Sequence, residues 1–295
     1  MIKNIGIISN IDIDVGLKEA NHLAEHILAF GVKVVMPEYS KKYMIDNVIY
    51  VPDKDVAKES DLILSIGGDG TFINAVRTGF REKTPLLGVN MGKLGFLTEM
   101  EKKDLNSSIK DLLDEKFIIE KRIMLHIDVY KDNELFAINH AINEVVLSKA
   151  NISKVLRVNF YLDDEFVDSF PGDGMIVSTP TGSTAYSLSA GGPIVQPDLN
   201  NIIVTPICPH MLYSRSYIMS DDKRIKFKIT QTRDRESVVT IDGDETYLIK
   251  DGDWIEVYKS DYYLNMIKMT ESNYFKVLRE KMHHREENFG RDEIY

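Results

Sequence analysis

The sequence predicts an α/β region at its amino end, followed by a region built almost entirely of β-strands. Two observations support the first part: short apolar runs alternate with helical periodicity over about 100 residues, and one apolar run ends in a glycine-rich turn. The second part is indicated by roughly ten short runs separated by Asp, Asn and Gly. A chain of 295 residues has room for one large domain or two ordinary ones.

The α/β region begins with a predicted strand at residues 5–9. A helix follows at 17–30, where apolar residues recur at helical spacing, and Gly31 is placed to end it. Further strands are predicted at 32–36, 61–66 and 84–90, with a helix start at 71–77. Strands that alternate with helices predict a parallel sheet, and ligands of such sheets bind at the carboxyl ends of the strands.

The later region reads as strands and turns. A helix is predicted at 103–115, a short one at 184–190 and a late amphipathic one at 274–282. Asp163 and Asp164 are predicted to form a hairpin turn. The predicted strands are 123–130, 134–137, 143–147, 156–162, 165–170, 174–178, 201–207, 224–229, 237–241 and 254–259.

Composition and charge limit the functional classes. A net charge of −10 makes the chain a poor general binder of nucleic acid or anionic membranes. One cysteine, Cys208, excludes an internal disulfide framework and a zinc site built from cysteines. No apolar run approaches the roughly 20 residues that a membrane-spanning helix needs. The first residues resemble a strand rather than a signal peptide, so we expect a cytoplasmic protein.

The Gly-Gly-Asp-Gly segment at 67–70 is the strongest functional signal of the α/β region. Glycines permit a sharp turn and close approach of backbone to a ligand, and amides at a helix start favour anions. Asp69 is an unusual choice for phosphate binding alone and suits a residue that handles a hydroxyl or a metal beside a phosphate. A structural turn with a capping Asp is the alternative for the isolated motif, and the flanking strand and helix favour the functional interpretation.

Two more segments carry polar groups that could bind a ligand. Asn143 and Glu144 lie at a strand start, where the isolated pattern favours solvated polar side chains; alternation places His140, Ile142 and Glu144 on one face. In residues 172–193 a strand leads into many small, hydroxyl-bearing or glycine residues, which can present amides and hydroxyls to a polar ligand. A flexible loop is the alternative for this second segment.

Other polar groups favour structural roles. The acidic run 242–245 suggests a metal, but a hairpin turn fits it better because the spacing matches no EF-hand. His210 lies in a loop, where a single histidine is more often structural than catalytic. His283 and His284 are expected on a solvated face.

Together these segments resemble the NAD kinase family over almost the whole chain. Any one of the similar segments is a modest signal, and their order along the chain makes the resemblance specific. The segments similar to family motifs are 67–71, 90–98, Asn143–Glu144, 173–174 with 178–189, 206–210 and 274–282.

The resemblance implies a fold class of α/β + β, with an N-terminal Rossmann-like parallel-sheet domain, a C-terminal β-sandwich-like domain and a last helix that returns to the first domain. The corresponding domains are residues 1–99 with about 266–295, and 100–265, which would bind NAD. The implied reaction transfers the terminal phosphate of ATP, or of polyphosphate, to the 2′-hydroxyl of the adenosine ribose of NAD and gives NADP. Mg²⁺ or Mn²⁺ would accompany ATP, and a homodimer or homotetramer is expected.

The resemblance also assigns roles to residues. Asp69 would accept or orient the proton of the attacking hydroxyl, and a carboxylate suffices if the transition state is loose. The glycine amides would lie near the transferred phosphate, and the ring of Tyr186 would stack on the dinucleotide. No side chain is assigned to the metal. The positions assigned to nucleotide binding are Gly67, Gly68, Gly70, Phe96, Asn143, Glu144, Lys154, Asp173, Thr184, Ala185, Tyr186, Ser187, Leu188, Ser189 and Asp244.

Two positions depart from the family pattern, and two other functions stay open. Members often carry a basic residue where Pro171 stands and a Gln where Asp244 stands, which affects ligand contacts and NADP feedback rather than the chemistry at Asp69. A lipid kinase of the diacylglycerol or sphingosine type shares the glycine-rich turn, but Asn143–Glu144 and the loop 181–189 disfavour it. A non-catalytic NADP-binding regulator is disfavoured by Asp69.

Overall fold

The computed structural model describes residues 2–43, 45–92, 95–150, 155–230, 236–269 and 274–289, and for 283–289 it describes the backbone alone. The chain divides into two compact units, Met1–Lys121 with Leu264–Tyr295, and Arg122–Tyr263. Helix α3 (Lys102–Leu113) packs with the first unit because its apolar side chains join that unit's core. The predicted division into functional domains at 99 and 265 stays a prediction.

The first unit contains a parallel sheet. Its strands are β1 (Asn4–Ser9), β2 (Lys33–Pro37), β3 (Val48–Val51), β4 (Leu62–Gly67), β5 (Leu86–Asn90) and β6 (Met100–Glu101). Their order is β3-β2-β1-β4-β5, with β6 also paired to β5, and the pairs are parallel. The chain starts in the middle at β1 and later returns to its other side at β4. Ligands of open α/β sheets bind at such a switch point, outside the carboxyl ends of the strands.

Helices α1 (Lys18–Ala29), α2 (Asp69–Gly79), α3 and α5 (Tyr274–Phe289) complete the first unit. Helix α1 forms because its apolar side chains recur at helical spacing and are buried, and Gly31 just after it has a φ of +76°, as a helix end requires. The predicted return of the last helix to the first domain is confirmed: the ring of Tyr274 lies 6.4 Å from that of Phe96.

The second unit consists of two β-sheets. Their strands are β7 (Ile118–Lys131), β8 (Glu134–Ala141), β9 (Glu144–Lys149), β10 (Leu156–Leu162), β11 (Glu165–Gly172), β12 (Gly174–Ser178), β13 (Asn201–Ile207), β14 (Tyr217–Ser220), β15 (Ile225–Ile229), β16 (Ser237–Ile241), β17 (Glu245–Ile249) and β18 (Trp254–Lys268). One sheet has the order β14-β13-β12-β9-β16-β17, and the other joins β11-β10-β15-β18 with β7 and β8. A short helix, α4 (Tyr186–Ser189), follows β12.

A hydrophobic core lies between the two sheets of the second unit. Alternate residues contribute to it, such as Leu125, Ile127 and Val129 from β7, which pack with Val145 and Leu147 from β9. The unit is therefore an antiparallel β-sandwich, and together with the parallel sheet of the first unit it confirms the predicted fold class. The end of β18, from Leu264 onward, belongs to the first unit, where Met266 pairs with Leu86 of β5.

Strands β3, β14 and β17 were not predicted from the sequence. Each lies at the edge of its sheet and keeps several side chains exposed or half-buried, so its apolar pattern is weak. The predicted hairpin turn at Asp163 and Asp164 is confirmed, because both residues have positive φ and Leu162 pairs with Glu165.

Candidate functional site

The Gly-Gly-Asp-Gly turn joins β4 directly to α2. Every residue of β4 is buried, and the helix begins at Asp69, with Gly68 as its extended N-cap. A Cβ on Gly67 would overlap the side chain of Thr71, so a larger residue does not fit there. The turn therefore places Asp69 and the first amides of α2 at the carboxyl end of a buried parallel strand, beside the switch point of the sheet.

The carboxylate of Asp69 is held by the backbone of residues 96 and 97, which belong to a second glycine-rich segment, residues 90–98. Its Oδ2 accepts the N–H of Phe96 and its Oδ1 accepts the N–H of Leu97, both at 3.1 Å. A Cβ on Gly95 would overlap this carboxylate. A glycine at 95 thus allows the loop to approach Asp69 closely, and the orientation of Asp69 is fixed by two amides.

The second glycine-rich segment is itself braced by side chains. The amide of Gly92 donates to Asn90 Oδ1 and the amide of Gly95 donates to Thr98 Oγ1, each at 2.7 Å. The amide of Met91 donates to the carbonyl of Gly67 at 3.1 Å and ties this loop to the first turn. The structure thus brings together the two segments of the first unit that the sequence indicated.

Phe96 is half-buried, and its ring contacts two residues of α5. Its ring lies near that of Tyr274, and Lys281 Nζ lies 6.0 Å from its centroid. Its predicted contact with nucleotide stays a prediction.

In the second unit, Asn143 and Glu144 lie where the bend after β8 enters β9. The isolated pattern predicted solvated side chains here, which is wrong for Glu144: it is 7% exposed. Its Oε2 is buried with no hydrogen-bond partner among the described residues. Burial and, next, the nearby Asp242 raise the pKa of Glu144 to about 8.

The small-residue segment after β12 packs against the backbone of Ile142 and Asn143. The amide of Thr179 donates to the carbonyl of Asn143 at 2.9 Å, and Thr179 Oγ1 donates to the carbonyl of Ile142 at 2.5 Å. A Cβ on Gly182 would overlap the backbone of Asn143. The structure therefore unites two predicted site segments that lie about 40 residues apart in sequence.

The residues of this segment divide into two groups by burial. Ser183 and Ser187 are fully buried: Ser183 Oγ bonds the backbone of Val195, and Ser187 Oγ lies 3.0 Å from Thr205 Oγ1. They hold the loop in shape. Tyr186 is 45% exposed, Ser189 is exposed, and Thr184, Ala185 and Leu188 are half-buried, so these five are accessible to a ligand.

Asp173 and Asp244 are also accessible. Asp173 forms an ion pair of 2.6 Å with Lys149, and Asp244 is exposed in the turn between β16 and β17. The predicted hairpin turn at 242–245 is confirmed, with positive φ at Asp242 and Gly243. The amide of His210 donates a hydrogen bond to the carbonyl oxygen of Pro171 at 2.7 Å. Lys154 lies outside the described residues.

Asp242 is the residue that sequence reasoning missed. Its carboxylate accepts the amides of Ile142, Asn143 and Glu144 at 2.8 to 3.0 Å. The local sequence indicates only an aspartate in a hairpin turn, and the partners lie about 100 residues away, so no short-range pattern could identify them.

Two searches of the described residues are negative. In those parts of the chain, no three His, Cys, Asp or Glu side chains gather in a way that could hold a metal ion. None of the described helices has both the length and the apolar character that a membrane crossing demands.

Comparisons with known proteins agree with this arrangement. Residues 5–117 match the model of the ATP-NAD kinase N-terminal domain, and residues 142–269 match that of the ATP-NAD kinase C-terminal domain. An NAD kinase of Ruminiclostridium cellulolyticum is 42% identical over 97% of this chain and 100% of its own length. One from Acetivibrio thermocellus is 42% identical over 96% of this chain and 98% of its own.

Solved structures give the same result at the level of the fold. Yeast NADH kinase, solved as a complex with NADH, superposes with a TM-score of 0.87 at 25% identity, over 99% of this chain and 89% of that one. An NAD kinase of Archaeoglobus fulgidus, solved with ATP, gives 0.74 at 24% identity, over 95% and 98%. Since both family models and full-length relatives match, this chain belongs to the NAD kinase family.

Proposed function

We propose that this NAD kinase family member transfers the terminal phosphate of ATP, or of polyphosphate, to the 2′-hydroxyl of the adenosine ribose of NAD. The observation that carries the proposal is Asp69: a carboxylate at a strand-to-helix junction, held by the amides of Phe96 and Leu97. A site that bound phosphate alone would gain nothing from a negative charge there.

In the proposed reaction, Asp69 accepts or orients the proton of the 2′-hydroxyl as its oxygen attacks phosphorus. Little charge develops on the attacking oxygen in a loose transition state, so a fixed carboxylate suffices. The negative phosphoryl group is favoured by the backbone N–H groups at the start of α2 and in the turn of Gly67, Gly68 and Gly70. The leaving group is ADP or shortened polyphosphate.

The residues of the second unit are proposed to hold NAD. Because the pKa of Glu144 is about 8, its carboxyl group is protonated at neutral pH and can both donate and accept a hydrogen bond. The side-chain amide of Asn143 can do the same. These two side chains would bond ribose hydroxyls or the ring amide. Asp173, Lys154, Asp244 and the segment 184–189 would hold the remainder of the dinucleotide, with Tyr186 stacked on a ring.

A divalent metal, Mg²⁺ or Mn²⁺, is proposed to enter with ATP. An ion of this kind is held mainly by phosphate oxygens and water. When bound, it would neutralise phosphate charge. We also propose residence in the cytoplasm and assembly as a homodimer or homotetramer; neither bears on the role of Asp69.

The test is an assay of the purified protein with Mg²⁺, NAD and either ATP or polyphosphate, in which NADP is measured with an NADP-specific dehydrogenase. We expect NADP from the wild type and a loss of at least about 100-fold in kcat for Asp69→Asn, because the substitution removes the proton acceptor but keeps the shape.

Each other outcome has a meaning. No NADP from the wild type with either donor would refute the proposal. Full activity of Asp69→Asn would refute the role of Asp69 alone. If NADP raises the melting temperature but no turnover occurs, a binding regulator is the better interpretation. Replacing NAD by NADH in the same assay measures the acceptor preference.

A further inference from the structure

The turn between β16 and β17 contacts the Asn143–Glu144 segment through one side chain. Asp242 Oδ2 accepts the amide of Ile142 at 2.8 Å, and its Oδ1 accepts those of Asn143 and Glu144 at 2.8 and 3.0 Å. The amide of Asp242 in turn donates to the carbonyl of Glu144 at 3.0 Å. Three successive amides thus share one carboxylate, and hydrogen bonds to a charged acceptor are the strong ones.

The hairpin turn itself does not need all three of these amides. Asp163 begins the turn between β10 and β11, also with positive φ, but its carboxylate bonds Lys223 and one amide only, that of Arg224. An aspartate is therefore suited to the backbone of such turns, whereas the direction of its carboxylate is set by its surroundings. The carboxylate of Asp242 points to the backbone of residues 142–144.

The opposite side of that segment is also fixed. Thr179 bonds the carbonyls of Ile142 and Asn143, while Asp242 takes the amides of the same residues and of Glu144. The backbone of residues 142–144 is therefore held from two elements. Its side chains can then reach a ligand without any ordering of the backbone on binding, which lowers the entropic cost of binding.

We propose that Asp242 is a positioning residue for the dinucleotide: its carboxylate fixes the backbone of residues 142–144 and thereby aims the side chains of Asn143 and Glu144 at the substrate. This inference rests on the proposed function, since it assumes that these two side chains bind NAD. Asp242 itself touches neither substrate nor the reacting atoms.

The charge of Asp242 gives a second, independent readout. Two elements lie beside Glu144. The hairpin turn carries Asp242 and, two residues later, Asp244, and strand β12 carries Ser178, which pairs with Glu144. Since the negative charge of Asp242 adds to burial in raising the pKa of Glu144, its removal lowers that pKa. The pH at which NAD binding weakens should move down with it.

The test compares wild type with Asp242→Asn, which keeps the shape but turns one acceptor oxygen into an NH₂ group. We expect the KM for NAD to rise about tenfold or more while kcat falls less than about threefold, because one amide of the segment meets a donor instead of an acceptor. The alkaline limb of the KM profile should move to lower pH. Amide hydrogen exchange should quicken at residues 142–144.

Asp163→Asn is the matched control, since it makes the same change in the other hairpin turn. It should leave the KM for NAD and the exchange of residues 142–144 as in the wild type. Assays run about 15 °C below the melting midpoint of each variant. If Asp242→Asn does not fold, Asp242→Ser replaces it, and the same three changes are expected: a higher KM, a shifted alkaline limb and faster exchange.

The outcomes separate the two proposals. If the wild type makes NADP and Asp242→Asn keeps the wild-type KM and pH profile, the positioning role is refuted although the kinase function stands. Equal rises in KM for Asp242→Asn and Asp163→Asn would also refute it, because a substitution in either hairpin turn would then have the same effect. Failure of the wild type to make NADP would refute the function, while the exchange comparison would still decide whether Asp242 holds residues 142–144.

Discussion

The carboxyl group of Glu144 is buried in the second unit, and its Oε2 has no hydrogen-bond partner among the described residues. A buried carboxyl beside another carboxylate avoids the cost of a buried charge by keeping its proton. The consequence can be measured as a dependence of stability on pH.

Glu144→Gln should flatten that dependence. The pKa of Glu144 is raised from an ordinary 4.5 to about 8, so between these values the unfolded chain loses a proton that the folded chain keeps. The free energy of unfolding of the wild type should therefore fall as pH rises from about 4.5 to 8, by an amount on the order of a few kcal/mol. Above pH 8 this contribution is gone.

Urea unfolding of both proteins at pH 5 and pH 8.5 measures the effect. The difference in unfolding free energy between the two pH values should shrink in Glu144→Gln. Glu134→Gln, which changes an exposed glutamate on β8, is the control and should keep the wild-type difference. Identical pH dependence in wild type and Glu144→Gln would contradict the raised pKa.

At the scale of elements, a buried ion pair joins the end of β18 to the segment that holds Asp69. Lys268 Nζ lies 2.9 Å from Glu99 Oε2, and the two side chains are 5% and 6% exposed. The amide of Met269 donates to Glu99 Oε1 at 3.2 Å. Glu99 follows Leu97 by two residues, so the pair anchors the loop whose amides orient Asp69.

Lys268→Met should destabilise the protein by about 3–5 kcal/mol, because it removes the cation that lies against the buried Glu99 carboxylate. The double variant Lys268→Met with Glu99→Gln should regain part of the loss, since the buried negative charge is removed as well. The measurement is urea unfolding at pH 7. Lys103→Met, which breaks an exposed pair with Glu101, should have a much smaller effect. Equal losses from the two lysine variants would contradict this account.

Whether a helix or strand could be predicted from the sequence depends on how much of it is buried. Strand β4 and helix α1 were predictable because burial on one or both faces imposes a clear apolar pattern, and the turn at Asp163 because its residues suit positive φ. Edge strands such as β17 were not, since half of such a strand faces solvent. The far half of β18 was missed because Ser260 and Asp261 resemble a turn.

For the whole molecule, the sequence predicted the α/β unit followed by the β-rich unit, and it indicated most residues of the candidate site. It did not predict the contacts that hold those residues in place. Asp69 and its glycines lie within one short segment, so their role shows in local spacing. The three amides that bond Asp242 lie about 100 residues before it, and the burial of Glu144 depends on a sandwich that forms from distant strands. Such contacts leave no local pattern, because they depend on how separate elements pack.

The return of the chain to its first unit gives a last prediction, for a series of truncations. Residues 264–269 complete that unit: Met266 pairs with Leu86, Ile267 joins the core, and Lys268 neutralises Glu99. A chain ending at residue 263 would lose all three contacts and should be insoluble or lack a cooperative thermal transition.

A chain ending at residue 269 keeps these contacts and loses α5, whose described side chains are mainly exposed or half-buried. We therefore expect it to fold, with a melting midpoint below that of the full chain. Circular dichroism and thermal melting of the two truncations against the full chain provide the measurement. A cooperative transition at the full-length midpoint for the chain ending at 263 would show that the first unit does not need its returning strand.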